Sequence, residues 1–508
     1  RHIVNSLLGF ASNPSQPNAP SFTTSSHDTD LVHQAVPTVG AISSQLFTPI
    51  NMNKVSSHTK GLIDFINSSP SPFHAVQTAC DLLSSHGFRE LKESELWSLK
   101  PQDCVFLKKN GSTILAAAIG GRYKPGNGFH LIGAHTDSPS LRLKPVSDRV
   151  KEGYVQLGVE AYGGGLWYTW FDRELKVAGR VIAANADGRL EEHLVHIDRP
   201  IACVPSLAIH LNPDVRTHGF APNFEQHVVP ILCTNILDQV NKTERDPSVN
   251  MTDVSLRSME ETATEVGPNP SAKRRHPAGL LRALVQHLNL TQDPLEIELY
   301  LSDCQPARVG GLHEEFIHAP RLDNLFNSYG ALHGLLASSA SLADDESIRI
   351  VCLYDHEEVG STSTQGANSS FTMNVLRRIA NALVWDKHTE AEQHLMVNHF
   401  EQSLSKSFLL SADQAHAVHP CYPDKHEACQ KPQLHGGLVL KSNVNQRYAT
   451  NALTAAAVRQ LSTLAEIPIQ LAMHSCREMC AASSVDQAVR FYAAYFEHLC
   501  KIWPPVAN

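Results

Sequence analysis

Nothing in this chain of 508 residues approaches the roughly 18 uninterrupted apolar residues that a membrane-spanning helix requires. No charged segment followed by an apolar stretch opens it in the manner of a secretory signal. Positive charge is also scarce: 42 Lys and Arg stand against 51 Asp and Glu, a net charge of -9. That balance argues against a nucleic-acid binder working through counterion release. The 11 cysteines include no Cys-x-x-Cys pair, and Cys476 and Cys480 lie four apart, which speaks against a structural zinc knuckle. Their odd number and scatter, with Cys233 and Cys352 inside apolar runs, fit reduced thiols in a reducing compartment. Absent too are a Gly-x-Ser-x-Gly elbow and a phosphate-binding Gly-Lys-Ser/Thr loop, which disfavours serine hydrolases and nucleotide enzymes. These absences point to a soluble, cytoplasmic protein whose partner is a peptide or small molecule, with neither nucleic acid nor membrane involved.

What is present is an ordinary globular composition, 42% hydrophobic and 18% charged, in a chain long enough for two folding units. Residues 1–53, rich in Ser, Asn, Thr and Pro, read as a disordered extension. Apolar spacing at Leu62, Ile63, Phe65 and Ile66 predicts a helix, broken by Pro70-Ser71-Pro72 before a second helix over 74–83. Phe129–Ala134 predicts the first strong strand. From 141 to 295 short alternating runs, Gly163-Gly164-Gly165 and the hairpin signal Asn185-Ala186-Asp187-Gly188 predict an inserted, mostly β domain, with a mobile loop at 241–276. An α/β pattern resumes at Leu295–Tyr300. It continues with a helix over 324–338 and strands at Ile348–Leu353, Phe408–Leu410, Gly437–Leu440 and Ile467–Met473. Helices near 375–385, 452–464 and 485–502 complete it. The fold class is therefore α/β: a mixed, largely parallel sheet flanked by helices, formed by residues 54–140 and 296–508, with the 141–295 unit inserted.

Four of the predicted strands run into metal-competent residues: His135, the pair Glu357 and Glu358, Asp413, and His474. Ligands in open α/β sheets bind at the carboxyl ends of strands, so these residues can converge. Asp323, just ahead of a helix, is a fifth candidate, although alone it reads as a helix cap. Two His and three carboxylates suit two divalent ions sharing one carboxylate. Glu357 and Glu358 cannot both be buried and ionised unless cations hold them, which suggests one Glu as ligand and its neighbour as base. Asp137, two residues past His135, can reach the other imidazole nitrogen and orient it. His356 should point away from the cluster. His313 and His318 resemble a zincin pair with one residue too many between them.

The segments Gly133–Pro139, Trp170–Leu175, Arg321–Asn324, Asp355–Ser361, Ser411–Ala417 and Met473-His474-Ser475 together resemble the M18 family of metallopeptidases, in its aspartyl aminopeptidase branch. The resemblance spans about 57–503, in family order. It implies a zinc-exopeptidase-like fold and two zinc ions, one held by His135 and Asp413, the other by Glu358 and His474, with Asp323 bridging. It further implies Glu357 as general base beside Asp137, and substrate contacts from His210, His416, Lys441 and Tyr448. The implied reaction is release of N-terminal Asp or Glu from peptides by a homododecamer built from dimers, with the inserted domain making the dimer contact. The alternatives are a dinuclear aminopeptidase or deacylase of other specificity, or a non-catalytic self-assembling relative.

Overall fold

The apolar runs Thr113–Ile119, Phe129–His135 and Ile348–Tyr354 are buried along their whole length, because their sheet carries helices on both faces. A computed structural model of the chain describes residues 55–243, 275–385, 398–436, 439–445, 447–462 and 470–503. The extension 1–53 and nearly all of the 241–276 loop lie outside them. The first sheet runs in the order Arg89–Glu90, Cys104–Lys109, Thr113–Ile119, Ile348–Tyr354, Phe129–His135, Phe408–Ser411. It is mixed: Ile348–Tyr354, Phe129–His135 and Phe408–Ser411 are mutually parallel, and Thr113–Ile119 runs against its neighbours.

Strand periodicity divides the core in two. Ile114, Ala116, Ala118, Ile132, Ala134, Val351 and Leu353 face the helices Ser57–Asn67, Pro72–Ser85, Leu322–Ala337 and Ser484–Ile502. Leu115, Ala117, Phe129, Leu131, Ile350 and Cys352 face Phe371–Trp385 and His399–Ser405. The register Tyr354↔His135 and Ser411↔Gly133 makes the three parallel strands end together. Their carboxyl ends therefore deliver His135, the 355–358 loop and Asp413 to one edge.

A second, wholly antiparallel sheet runs Leu190–Ala202, Leu175–Ala184, Glu296–Asp303, Ser140–Lys151, Tyr154–Tyr162, Ile231–Thr234, and buries one face under the helix Ala278–Leu288. At its tip the side chain of Asn185 accepts the N–H groups of Asp187 and Arg189, and Gly188 takes φ 77°, closing the predicted hairpin. One expectation is corrected here. Glu296–Asp303, read as the return of the α/β pattern, is hydrogen-bonded between Leu175–Ala184 and Ser140–Lys151. Only its first residue, Glu296, is exposed, and Leu299–Asp303 are buried between those neighbours.

A third, four-stranded antiparallel sheet orders Arg308–Gly310, Phe316–Ala319, Glu478–Ala481 and Gln470–Leu471. This corrects the origin of His474. Of the predicted 467–473 strand, residues 470–473 are described and only Gln470–Leu471 is strand, paired with Glu478–Ala481 and not with the first sheet. Ala472 at φ 58° and His474 at φ 65° then turn the chain back on itself. Of the predicted strand at Gly437–Leu440, the described residues 439 and 440 are not in a strand. The helix expected from 324 begins at Leu322, but Asp323 and Asn324 break its dihedrals, so Asp323 is no helix cap; that place falls to Arg321.

Candidate metal centre

Where the first and third sheets meet, two imidazoles and three carboxylates face one another. The bend at the start of Leu322–Ala337 aims the Asp323 carboxylate between them. Asp323 Oδ1 lies 3.3 Å from His135 Nε2, and Oδ2 lies 3.3 Å from His474 Nε2. Asp413 Oδ1 is 3.6 Å from His135 Nε2, and Glu358 Oε1 is 3.5 Å from His474 Nε2. Three groups have their ligand atoms within 4.8 Å of one another: the triads His135–Asp323–Asp413 and Asp323–Glu358–His474, and His135 with Glu357 and Glu358. Donors about 2 Å from a tetrahedral zinc stand roughly 3.3 Å apart, so these spacings fit that ion. Glu357 Oε2 is 3.9 Å from His135 Nε2, and its side chain keeps 23% exposure at the mouth of the cluster.

The hydrogen bonds around the cluster point the donor atoms inward. His135 Nδ1 lies 3.0 Å from the Asp137 carbonyl and 3.3 Å from its Oδ1, while His474 Nδ1 lies 2.9 Å from the Gly164 carbonyl. Each Nδ1–H has an acceptor, which leaves both Nε2 atoms free as ligands. Asp137 does more than its spacing suggested. Its carboxylate accepts the hydroxyl of Tyr162 at 2.8 Å and the backbone N–H groups of Glu357 at 3.2 Å and Glu358 at 3.1 Å. It thereby holds the turn that His356, at φ 63°, and Gly360, at φ 109°, carry through the left-handed region.

The electrostatics call for cations. Asp323 Oδ1 and Glu358 Oε1 are buried without any hydrogen bond, a costly condition for carboxylate oxygens unless a positive ion meets them. Burial and then neighbouring Asp323 push Glu358 up to about 9. The hydrogen bond to Asp323 lifts His474 to about 9. His135 stays well above the ordinary imidazole range, because Asp137, Asp323 and Asp413 outweigh its burial. Burial opposes ionisation of Asp413, yet His135 and Lys441 hold it far below the usual carboxylate range. Wherever the carboxylates crowd, a proton or an ammonium group supplies the positive charge that a divalent ion supplies more strongly. The residues present fit such ions.

The other anticipated residues fall as follows. Lys441 Nζ is 2.7 Å from Asp413 Oδ2 and 6.0 Å from the Tyr448 ring centre. His416 Nδ1 lies 3.2 Å from His426 Nε2, one turn of loop beyond Asp413. His210 is exposed on the short turn Ile209–Leu211 of the second-sheet unit and belongs to neither triad. His356 Nδ1 is 2.6 Å from Ser363 Oγ and stays out of the cluster, as anticipated. Tyr162 and Gly164 escaped the sequence reading. Both flank Gly163, whose φ of 76° favours glycine and where a Cβ would lie 3.1 Å from Glu358 Cβ.

A mixed α/β sheet with imidazoles and carboxylates gathered at its carboxyl edge defines a metal-dependent hydrolase. The family model described as aminopeptidase I zinc metalloprotease (M18) matches residues 65–472. The chain belongs to that family and is a metallo-aminopeptidase. An aspartyl aminopeptidase of Dictyostelium discoideum is 38% identical over 486 residues, covering 89% of this chain and 98% of its own. The cryo-EM structure of the Ape4 and Nbr1 complex superposes with a TM-score of 0.78 at 35% identity, covering 91% and 89% of the two chains. The S. cerevisiae mApe1 dodecamer gives a TM-score of 0.71 at 24% identity, covering 88% and 98%.

Proposed function

We propose that the chain removes N-terminal Asp or Glu from peptides, with His135 and Asp413 holding one zinc ion, Glu358 and His474 a second, and Asp323 bridging. The observation that carries this reading is the split of Asp323, with one oxygen facing each histidine at 3.3 Å. Bound there, the ions supply Lewis acidity toward the scissile carbonyl and the attacking water. Glu357, half-buried beside His135 and held by Asp137 through its backbone, accepts the water's proton and delivers one to the departing amine. His416, whose Nδ1 is taken by His426, uses its other ring nitrogen as donor to the developing oxyanion. Lys441 moves from Asp413 to the carboxylate of an acidic substrate side chain, with Tyr448 lining that pocket.

The aspartyl aminopeptidase relatives support the acidic preference. We further propose a division into a catalytic domain and an inserted unit that serves as dimerisation domain. The pairing of Glu296–Asp303 favours extending that unit from about 140 to 303. Its exposed turn at His210 then reaches a neighbouring subunit's site, within an assembly like the mApe1 dodecamer. The 11 cysteines form no disulfide, which supports a cytoplasmic setting. The test compares Asp-, Glu-, Ala- and Leu-anilide turnover by wild type and Glu357→Gln. Acidic substrates should lead, and the variant should lose roughly 10²–10⁴-fold in kcat with its metal retained. A preference for Ala or Leu removes the acidic pocket, and wild-type turnover in the variant removes Glu357 as base.

A further inference from the structure

Four residues past His474, Glu478 buries a carboxylate at 3% exposure and holds the backbone of two ligands at once. Its Oε2 accepts the N–H of Asp323 at 3.0 Å, and its Oε1 accepts the N–H of His474 at 2.8 Å. Strand register places it there. Glu478 pairs with Ala319, so the chain running on to Asp323 and the chain arriving from His474 meet at one rung of the third sheet. Both arms are turned by non-glycine residues in the left-handed region: Arg321 at φ 59°, Ala472 at φ 58° and His474 at φ 65°. Such turns persist where the surroundings fix them, and one carboxylate with two acceptor oxygens fixes both.

The opposite side of Asp323 is tied independently. Ser138 Oγ donates to its carbonyl at 2.5 Å, and Asn324 Nδ2 donates at 2.8 Å to the carbonyl of Ala412, the neighbour of Asp413. Asp323 is thus linked to Asp413 through Asn324 and to His474 through Glu478. We propose that Glu478 is a positioning residue that locks Asp323 to His474 and so sets the affinity for the cation of the Asp323–Glu358–His474 triad, while the His135–Asp323–Asp413 triad depends on the Asn324 tie. The inference rests on the two-ion reading above. Glutamine cannot substitute, because it exchanges one of the two acceptors for a donor that opposes an N–H.

The test strips the full-length chain of metal with a chelator and titrates zinc back against a chromophoric competitor, for wild type and Glu478→Gln. The variant should bind one zinc as wild type does and the other 10–100-fold more weakly, in line with the roughly 10–100-fold effects of groups that orient ligands. Amide hydrogen exchange in the metal-free variant should quicken at Asp323 and His474 together. If wild type binds two zincs and both constants stay unchanged in the variant, or weaken equally, the positioning role is overturned while the two-ion reading stands. If wild type binds only one zinc, the two-ion reading falls and takes the inference with it. Should Glu478→Gln fail to fold, Glu478→Asp keeps the charge but is too short to span both amides. It carries the same expectation, and wild-type affinity for both ions there overturns the role.

Discussion

Asp137 shows how one residue can matter without touching the reacting atoms. Its carboxylate receives the Tyr162 hydroxyl and the two N–H groups that begin the Glu357–Glu358 turn, and its carbonyl orients His135. An amide in its place offers those N–H groups one acceptor fewer. Asp137→Asn should therefore reduce kcat by roughly 10–100-fold, the range for groups that orient metal ligands. KM should change little, and the circular dichroism spectrum should match wild type. Two neighbouring carboxylates after a buried strand mark Glu357 and Glu358 for separate roles from sequence alone, and the structure sets Glu358 against His474 while Glu357 stays partly exposed beside His135. The part played by Tyr162 was not legible, since a tyrosine in a β unit carries no sign of a partner 25 residues earlier in the chain. Glu478 is a similar case: a strand residue whose meaning comes only from the rung it shares with Ala319.

At the scale of elements, the helix Leu322–Ala337 carries Asp323 at its start and packs against Ser484–Ile502. Glycines allow the contact. A Cβ on Gly334 meets Tyr492 Cβ at 2.4 Å, and one on Gly330 meets the Tyr492 ring at 2.9 Å. Gly334→Ala should destabilise the protein by about 1–3 kcal/mol, the usual range for overpacking a core, read as a lower midpoint in denaturant or heat. Zinc affinity should fall with it, because the displaced helix bears Asp323, which faces both histidines. Phe129–His135 and Ile348–Tyr354 were readable as unbroken apolar runs because both of their faces are covered, whereas Cys104–Lys109 and the Ala-rich Thr113–Ile119 were not anticipated. The hairpin that delivers His474 was not, because a strand of two described residues leaves no periodicity, and its direction is set by positive φ values at Ala472 and His474 that their residue types do not advertise. For Glu296–Asp303 the sheet it joins is set by pairing with strands more than a hundred residues earlier, which no local pattern reports.

At the scale of the whole molecule, histidines far from the metal centre set the acid limit. Burial lowers His74, His130, His196, His276 and His333 each to about 4, below the usual imidazole value of 6.5. Their folded-state pKa is depressed, so the unfolded chain takes up protons first as pH falls. The stability they contribute is complete above pH 6.5 and is lost as pH drops from 6.5 toward 4. His130 is buried against Ser347, with Asp345 and Arg349 close by, and shares in this loss. The thermal midpoint should fall between pH 7 and 5, and His130→Gln should flatten that dependence.

Asp323 is positioned by one helix, held from either side by Ser138 and Glu478, and faced by two histidines. The most direct measurement is therefore the zinc content per chain, by elemental analysis, of wild type and Asp323→Ala dialysed against the same weak chelator. Two ions per chain in wild type and fewer than one in the variant is the predicted result. One ion in wild type, or two retained without Asp323, would contradict a shared carboxylate at the centre of the site.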